Sequence, residues 1–272
     1  MSQYQLIAFD MDGTLLNSNK QISLNAIKRA TDAGKTVILC TGRNLAELNA
    51  FTEIIPGLRY LDCVSGACVY DLKEKKTLYS QALDPGIVKK LMEFGMEEGA
   101  MIHVLSERSI VQKDQQSHMA DFHMGIYQTM FDQITDKLEN IYNSFCEEPF
   151  PVLKLNLYHR DEASRARTVE RIKAAGLETA LALAESTSLE CSDKGIDKGV
   201  GLKKLCEHLG LPLEQTIAVG DADNDTMALK TAGLAVAMGN ATEPIKALAD
   251  VIVADCDHNG CAEAIDKYLL AD

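Results

Sequence analysis

The chain has 272 residues, with 27 Lys+Arg against 40 Asp+Glu and a formal net charge of −13. Such an acidic excess excludes a protein whose main partner is a nucleic acid, since that partner requires a cationic face to displace its counterions. With 46% hydrophobic and 25% charged residues, the chain can bury a core and is not disordered.

In chain order, the apolar run Leu6–Phe9 predicts a first strand, 24–33 a helix stopped by Gly34, and Thr36–Cys40 a second strand; a further helix and strand reach Val69. The runs are continuous rather than alternating, as in strands buried on both faces of a parallel sheet. At Asp84-Pro85-Gly86 a turn signal marks a change of texture. Beyond it the pattern predicts a helix over 87–98, two strands within 101–113 joined at Ser106-Glu107-Arg108, and a helix over 163–175. Between these, 152–157 alternates apolar with polar residues and predicts a strand with one solvated face. After the polar stretch Ser192-Asp193-Lys194-Gly195 the first texture returns: a helix over 199–209, a strand over 216–219, a helix over 225–232, then strands at Leu234–Ala237 and 251–253. The expected fold is α/β, a doubly wound (Rossmann-like) parallel-sheet core over 1–83 and 190–272, with an inserted α+β cap domain over 84–189.

No apolar run approaches the roughly 18 residues of a membrane span. Met1-Ser2-Gln3-Tyr4-Gln5 lacks the basic and apolar segments of a signal peptide, so a cytoplasmic protein without a membrane partner is expected. Eight scattered cysteines read mostly as buried thiols. The pairs Cys63/Cys68 and Cys256/Cys261 lack the tight spacing of a zinc knuckle.

Ligands of open α/β sheets bind beyond the carboxyl ends of the strands. There stand Asp10-Met11-Asp12-Gly13-Thr14, then Thr41-Gly42-Arg43, then Gly220-Asp221-Ala222-Asp223-Asn224-Asp225. Alone, each set reads as a solvated turn. Together they deliver carboxylates, a hydroxyl and a guanidinium to one sheet edge, with glycines that let backbone N–H groups approach an anion. An EF-hand loop starting at Asp221 fails, because its sixth position is Thr226 and its twelfth is Ala232. Gly195-Ile196-Asp197-Lys198-Gly199 is not a P-loop, and Gly199-Val200-Gly201 lacks the third glycine of a dinucleotide fingerprint.

These three sets, with Lys198-Gly199-Val200-Gly201-Leu202, resemble the four motifs of the haloacid dehalogenase superfamily. Their order, with a large insertion before the lysine, is similar to the Cof-type sugar-phosphatase branch with its α/β cap. Ser65-Gly66-Ala67 departs from the branch's usual Asn-Gly-Ala, and Asn259-Gly260-Cys261 from its Asp-Gly-Val.

The resemblance implies hydrolysis of a phosphate monoester through an aspartyl-phosphate. Asp10 would be the nucleophile and Asp12 the acid that protonates the leaving alkoxide and later deprotonates water. Thr41 and Lys198 would stabilise the phosphoryl charge, with Gly42, Arg43 and Asn224 at the phosphate site. Arg43 reads equally as a phosphate ligand or as the partner of a surface acid. His118 and His123 read as ordinary cap residues.

Two carboxylates ~5 Å apart repel by about 3 kcal/mol at an effective dielectric near 20, so clustering Asp10, Asp12, Asp221 and Asp225 requires a cation. Oxygen-only donors indicate Mg²⁺. By the family pattern Asp10 and Asp221 would supply side-chain ligands and Asp12 its backbone carbonyl, with Asp225 in support. The expected partner is a small phosphorylated metabolite, selected by the cap. A phosphomutase on the same scaffold, or a non-catalytic regulator binding a phosphometabolite, are the alternatives; monomer and dimer both stay open.

Overall fold

In the computed structural model, residues 3–184 and 187–271 are described; Met1, Ser2, Glu185, Ser186 and Asp272, which fall within the core and cap ranges expected from sequence, lie outside them. The strand Leu6–Phe9 (β1) is buried at every position and pairs in parallel with Thr36–Cys40 (β2) on one side. On the other side it pairs in parallel with a strand that arrives some 200 residues later, Thr216–Gly220. Numbered along the chain, the strands are Tyr60–Cys63 (β3), Cys68–Asp71 (β4), Lys76–Ser80 (β5), Met101–Leu105 (β6), Ser109–Gln112 (β7), Thr135–Leu138 (β8), Lys154–Tyr158 (β9), Thr179–Ala184 (β10), Ser188–Asp193 (β11), Thr216–Gly220 (β12), Leu234–Ala237 (β13) and Val251–Ile252 (β14).

The chain divides into two compact units. The first, Met1–Arg43, Asn49–Ser80 and Asp197–Asp272, holds an eight-stranded sheet in the order β14-β13-β12-β1-β2-β3-β4-β5. From β14 to β3 all pairings are parallel, and β4 and β5 add an antiparallel edge. The chain winds outward from β1 through β2 and β3, then returns to β12 and winds the other way. The strand order therefore reverses between β1 and β12, the switch point where a doubly wound sheet opens a crevice for ligands. This is the α/β doubly wound architecture expected of the core.

The second unit, Asn44–Leu48 with Gln81–Ile196, holds a six-stranded sheet in the order β10-β11-β9-β6-β7-β8. Every pairing except β7/β8 is antiparallel. Ile102, Val104, Leu155, Leu157, Leu189 and Cys191 share one buried cluster with Val88, Leu91 and Met92 of the helix Pro85–Glu97. A smaller cluster forms around Met101, Val111, Met119, Phe122 and Phe131.

The expected solvated face of 152–157 is not found. All of β9 is buried, its polar positions included. The Lys154 ammonium is 3.0 Å from Glu190 Oε2, and the Asn156 amide donates to the Tyr158 hydroxyl at 3.1 Å. Alternation marks two chemically different faces, but a polar face that finds ionic and hydrogen-bonding partners can be buried as well.

Candidate active site

The switch point places two carboxylates side by side. Asp10 follows β1 and donates its N–H to Val219 O of β12 at 3.0 Å, and Asp221 follows β12 directly. The close approach of these segments depends on Gly13, whose φ of +84° suits glycine and whose missing Cβ would stand 2.4 Å from Asp221 Oδ2. Thr14, next along, donates its hydroxyl to Asp221 Oδ1 at 2.8 Å.

Lys198 reaches the same place from the first position of the helix Lys198–Leu209. Asp197 caps that helix, its carboxylate accepting from Val200 N. The lysine is 1% exposed, and its ammonium donates to Asp10 Oδ1 and to Asp225 Oδ1, each at 2.6 Å. Asp225 spends its other oxygen on the backbone, accepting from Asp221 N at 2.9 Å and Ala222 N at 3.1 Å. One cation thus ties the first strand's acid to the loop after β12.

Among the described residues, Asp10, Asp221 and Asp225 offer carboxylate oxygens that all lie within 4.8 Å of one another. Three acids face one ammonium. Burial drives the Asp10 carboxyl up to about 7 against the pull of Lys198, with Asp225 and Asp221 adding to the rise. Burial also raises Asp221. Lys198 is driven well above its ordinary value: desolvation opposes its charge, but Asp10 and Asp225 outweigh it. Asp10 Oδ2 and Asp221 Oδ2 accept no hydrogen bond from the described residues. The residual negative charge and the all-oxygen donor set fit a hard divalent cation.

Asp12 is set apart from this cluster. Burial raises its carboxyl, but Arg43 and Lys20 prevail and hold it below the usual range. Arg43 Nε lies 2.9 Å from Asp12 Oδ2, Arg43 Nη2 lies 2.9 Å from Oδ1 and 2.7 Å from Oδ2, and Lys20 Nζ lies 2.9 Å from Oδ1. Of the two readings open for Arg43, this structure displays the ion pair.

Thr41, after β2, is 2% exposed, and its hydroxyl accepts from Arg43 N at 3.3 Å. Gly42 is half-buried and Asn224 is exposed. Ser65 donates its N–H to Thr41 O at 2.9 Å from a turn in which Val64 and Ser65 have φ of 54° and 57°. Asparagine tolerates that left-handed region better than most residues, which gives a physical reason for the residue usual there. His118 and His123 are exposed and bond to backbone carbonyls of Asp114 and Arg160.

Three neighbours escaped assignment from sequence. Thr14 stands inside a quoted motif without a role, and Lys20 carries no motif. Asp62, on β3, is fully buried beneath the helix of Lys198; burial drives its carboxyl up to about 8, although a hydrogen bond from Cys40 lowers it. A lone charged residue inside an apolar strand was the available signal for Asp62.

A family model described as haloacid dehalogenase-like hydrolase matches residues 7–265. The chain belongs to this family. Among relatives, a phosphatase of Bacillus subtilis is 29% identical over 98% of this chain and 100% of its own length. The 5-amino-6-(5-phospho-D-ribitylamino)uracil phosphatase of the same organism is 29% identical over 98% of this chain and 96% of its own. A chloroplast endoribonuclease of Arabidopsis thaliana is 30% identical over 98% of this chain, which spans 47% of that longer protein. A haloacid dehalogenase-like hydrolase from Bacteroides thetaiotaomicron has the same fold, with a TM-score of 0.84 and 26% identity over 97% of this chain and 99% of its own. Within the haloacid dehalogenase-like hydrolases the chain is a phosphatase, a phosphoric monoester hydrolase. No helix among the described residues is long and apolar enough to cross a membrane.

Proposed function

We propose that this chain hydrolyses small phosphorylated metabolites, sugar phosphates included, in two displacements through an aspartyl-phosphate on Asp10, with Mg²⁺ as cofactor. The observation that carries this reading is the buried Lys198 ammonium, 2.6 Å from both Asp10 and Asp225, with Asp221 in the same acidic cluster at the switch point of the sheet. Uncatalysed monoester hydrolysis is so slow that an enzyme supplies up to ~10²¹-fold acceleration. Positioning alone, about 7–11 kcal/mol, falls short, so a nucleophile, a proton donor and charge neutralisation must converge.

Asp10 attacks phosphorus through a carboxylate oxygen. Lys198 offsets charge on the nucleophile and on the phosphoryl group, assisted by the Thr41 hydroxyl. Asp225 has both oxygens engaged and holds the loop after β12 in place. The cation would therefore be held by the side chains of Asp10 and Asp221 and the backbone carbonyl of Asp12. When bound, Mg²⁺ supplies Lewis-acid stabilisation of a phosphoryl oxygen and relieves the repulsion among the carboxylates. Asp12 protonates the leaving alkoxide, then deprotonates the water that cleaves the acyl phosphate. Gly42, Arg43 and Asn224 complete the phosphate site.

We assign substrate selection to the inserted cap domain, 84–189, on the family resemblance. Similarity to the ribitylamino-uracil phosphatase of Bacillus subtilis supports a small phosphorylated substrate. A reducing, cytoplasmic setting is supported by eight free cysteines, six of them buried.

The test is phosphate release from a broad panel of phosphorylated metabolites, with and without Mg²⁺, by wild type and Asp10→Asn. Mg²⁺-dependent release that Asp10→Asn abolishes is expected; undiminished release by the variant removes Asp10 as nucleophile. Isomerised product without phosphate release identifies a phosphomutase. Tight metabolite binding without turnover identifies a regulator.

A further inference from the structure

Lys20 belongs to none of the four motifs, yet the fold delivers its ammonium to Asp12. It does so from a turn fixed at several points. Asn17 Oδ1 accepts from Asn19 N at 3.0 Å and Gln21 N at 2.8 Å; Asn17 N donates to Gln21 O, and Lys20 N donates to Asn17 O at 2.9 Å. Ser18 anchors the turn to a distant segment, its N–H and hydroxyl donating to Asp257 Oδ1 at 2.9 and 2.8 Å. Lys20 itself has φ of 59°, a region lysine rarely adopts.

Resting on the phosphatase reading above, we propose that Lys20 is a positioning residue for Asp12, holding its Oδ1 so that Oδ2 is aimed at the leaving oxygen. The two cations on Asp12 differ in kind. Arg43 engages both oxygens with a planar fork that also matches a phosphoryl group, so a bound phosphate ester competes for it. Lys20 engages Oδ1 alone. When Arg43 turns to the phosphoryl group, Oδ2 is released while Oδ1 stays held. In the first displacement the bond from Asp10 to phosphorus forms as the P–O ester bond breaks, and a proton that Oδ2 takes from solvent once Arg43 has left it passes to the alkoxide. In the second, Oδ2 takes a proton from water as the hydroxide attacks phosphorus and the bond from phosphorus to Asp10 breaks. The lysine touches neither substrate nor the reacting atoms.

Protonating the leaving group matters for an alkyl ester and hardly at all for an aryl ester with an acidic phenol, which separates positioning of Asp12 from general structural damage. With Mg²⁺ saturating, kcat/KM, which reads only the first displacement, is compared for wild type, Lys20→Met and Lys20→Arg on p-nitrophenyl phosphate and on an alkyl phosphate that wild type hydrolyses. General acid catalysis contributes about 10²–10⁴-fold, so Lys20→Met is expected to lower the alkyl rate at least ~10-fold and the aryl rate less than ~2-fold, with Lys20→Arg recovering most of the alkyl loss. Equal losses on both esters, or no loss on either, overturn the proposal. Asp10→Asn in parallel keeps the two readings apart: if it leaves phosphate release intact the underlying mechanism fails, whereas if it abolishes release the Lys20 result bears on positioning alone.

Discussion

At the scale of single residues, Asp10 has to meet two demands. In the proposed mechanism it must be ionised to attack phosphorus, yet burial lifts its carboxyl to about 7. Below that pH the site holds a proton that a cation must displace. Mg²⁺ affinity is therefore expected to fall as pH drops from 8 to 6, with more protons released per ion at pH 6. Calorimetry in buffers of different ionisation enthalpy reads both quantities, and affinity flat across this interval contradicts the expectation. Asp62 carries a similar burden without serving as a ligand. Its folded value is raised from 3.8 to about 8, so the folded state retains a proton the unfolded state loses. Stability from this group is thus greatest below about pH 4 and declines as pH rises toward 8. Asp62→Asn keeps the shape without the charge. It is expected to raise Tm relative to wild type progressively from pH 5 to pH 8, with ~1 kcal/mol appearing as roughly 2–4 °C at this chain size. The Asp12 ion pairs matter differently. Asp12 and Lys20 are substantially exposed and Arg43 less so, and exposed pairs contribute about 0–1 kcal/mol, weak enough for a phosphate to displace.

At the scale of elements, the helix Lys198–Leu209 decides where Lys198 sits, and its glycines set how closely it packs. A Cβ on Gly201 would stand 1.9 Å from Asp62 Oδ1. Alanine favours an exposed helix over glycine by about 0.8–1.0 kcal/mol, but here overpacking at about 1–3 kcal/mol prevails. Gly201→Ala is expected to lower stability and to displace Lys198 from Asp10, read as a fall in denaturation midpoint together with kcat. A more stable, fully active variant would show that the helix shifts freely. Much of this was legible in sequence. The continuous apolar runs located β1, β2, β12 and β13. The antiparallel edge β4–β5 and the strands β8, β10 and β11 were not read. None of them is a continuous run of large apolar residues, and their assignment depends on pairing partners rather than local pattern. The buried polar face of β9 escaped for a related reason: the acid that accompanies Lys154 is 36 residues away in the chain.

At the scale of the whole molecule, the second unit is almost contiguous, over Gln81–Ile196, and contains every strand of its own sheet and its own apolar clusters. The first unit is assembled from distant stretches, β1 being paired with β12. A fragment of residues 81–196 is accordingly expected to fold alone, with a cooperative thermal transition by circular dichroism. A non-cooperative melt would show that its core depends on the rest of the chain. The net charge of −13 belongs mainly to the surface: setting aside Asp10, Asp12, Asp221 and Asp225 leaves 36 acids against 27 basic residues. By itself the sequence determined the α/β core, the order of the motifs and which residue types gather at the strand ends, because apolar runs and turn chemistry are local properties. Tertiary structure alone decided that Lys198 bridges Asp10 and Asp225, that Arg43 and Lys20 converge on Asp12, and that Asp62 lies buried beneath the helix. Those pairings join residues from 8 to 188 positions apart, and which charge neutralises which depends on chain crossing and burial that no local pattern encodes.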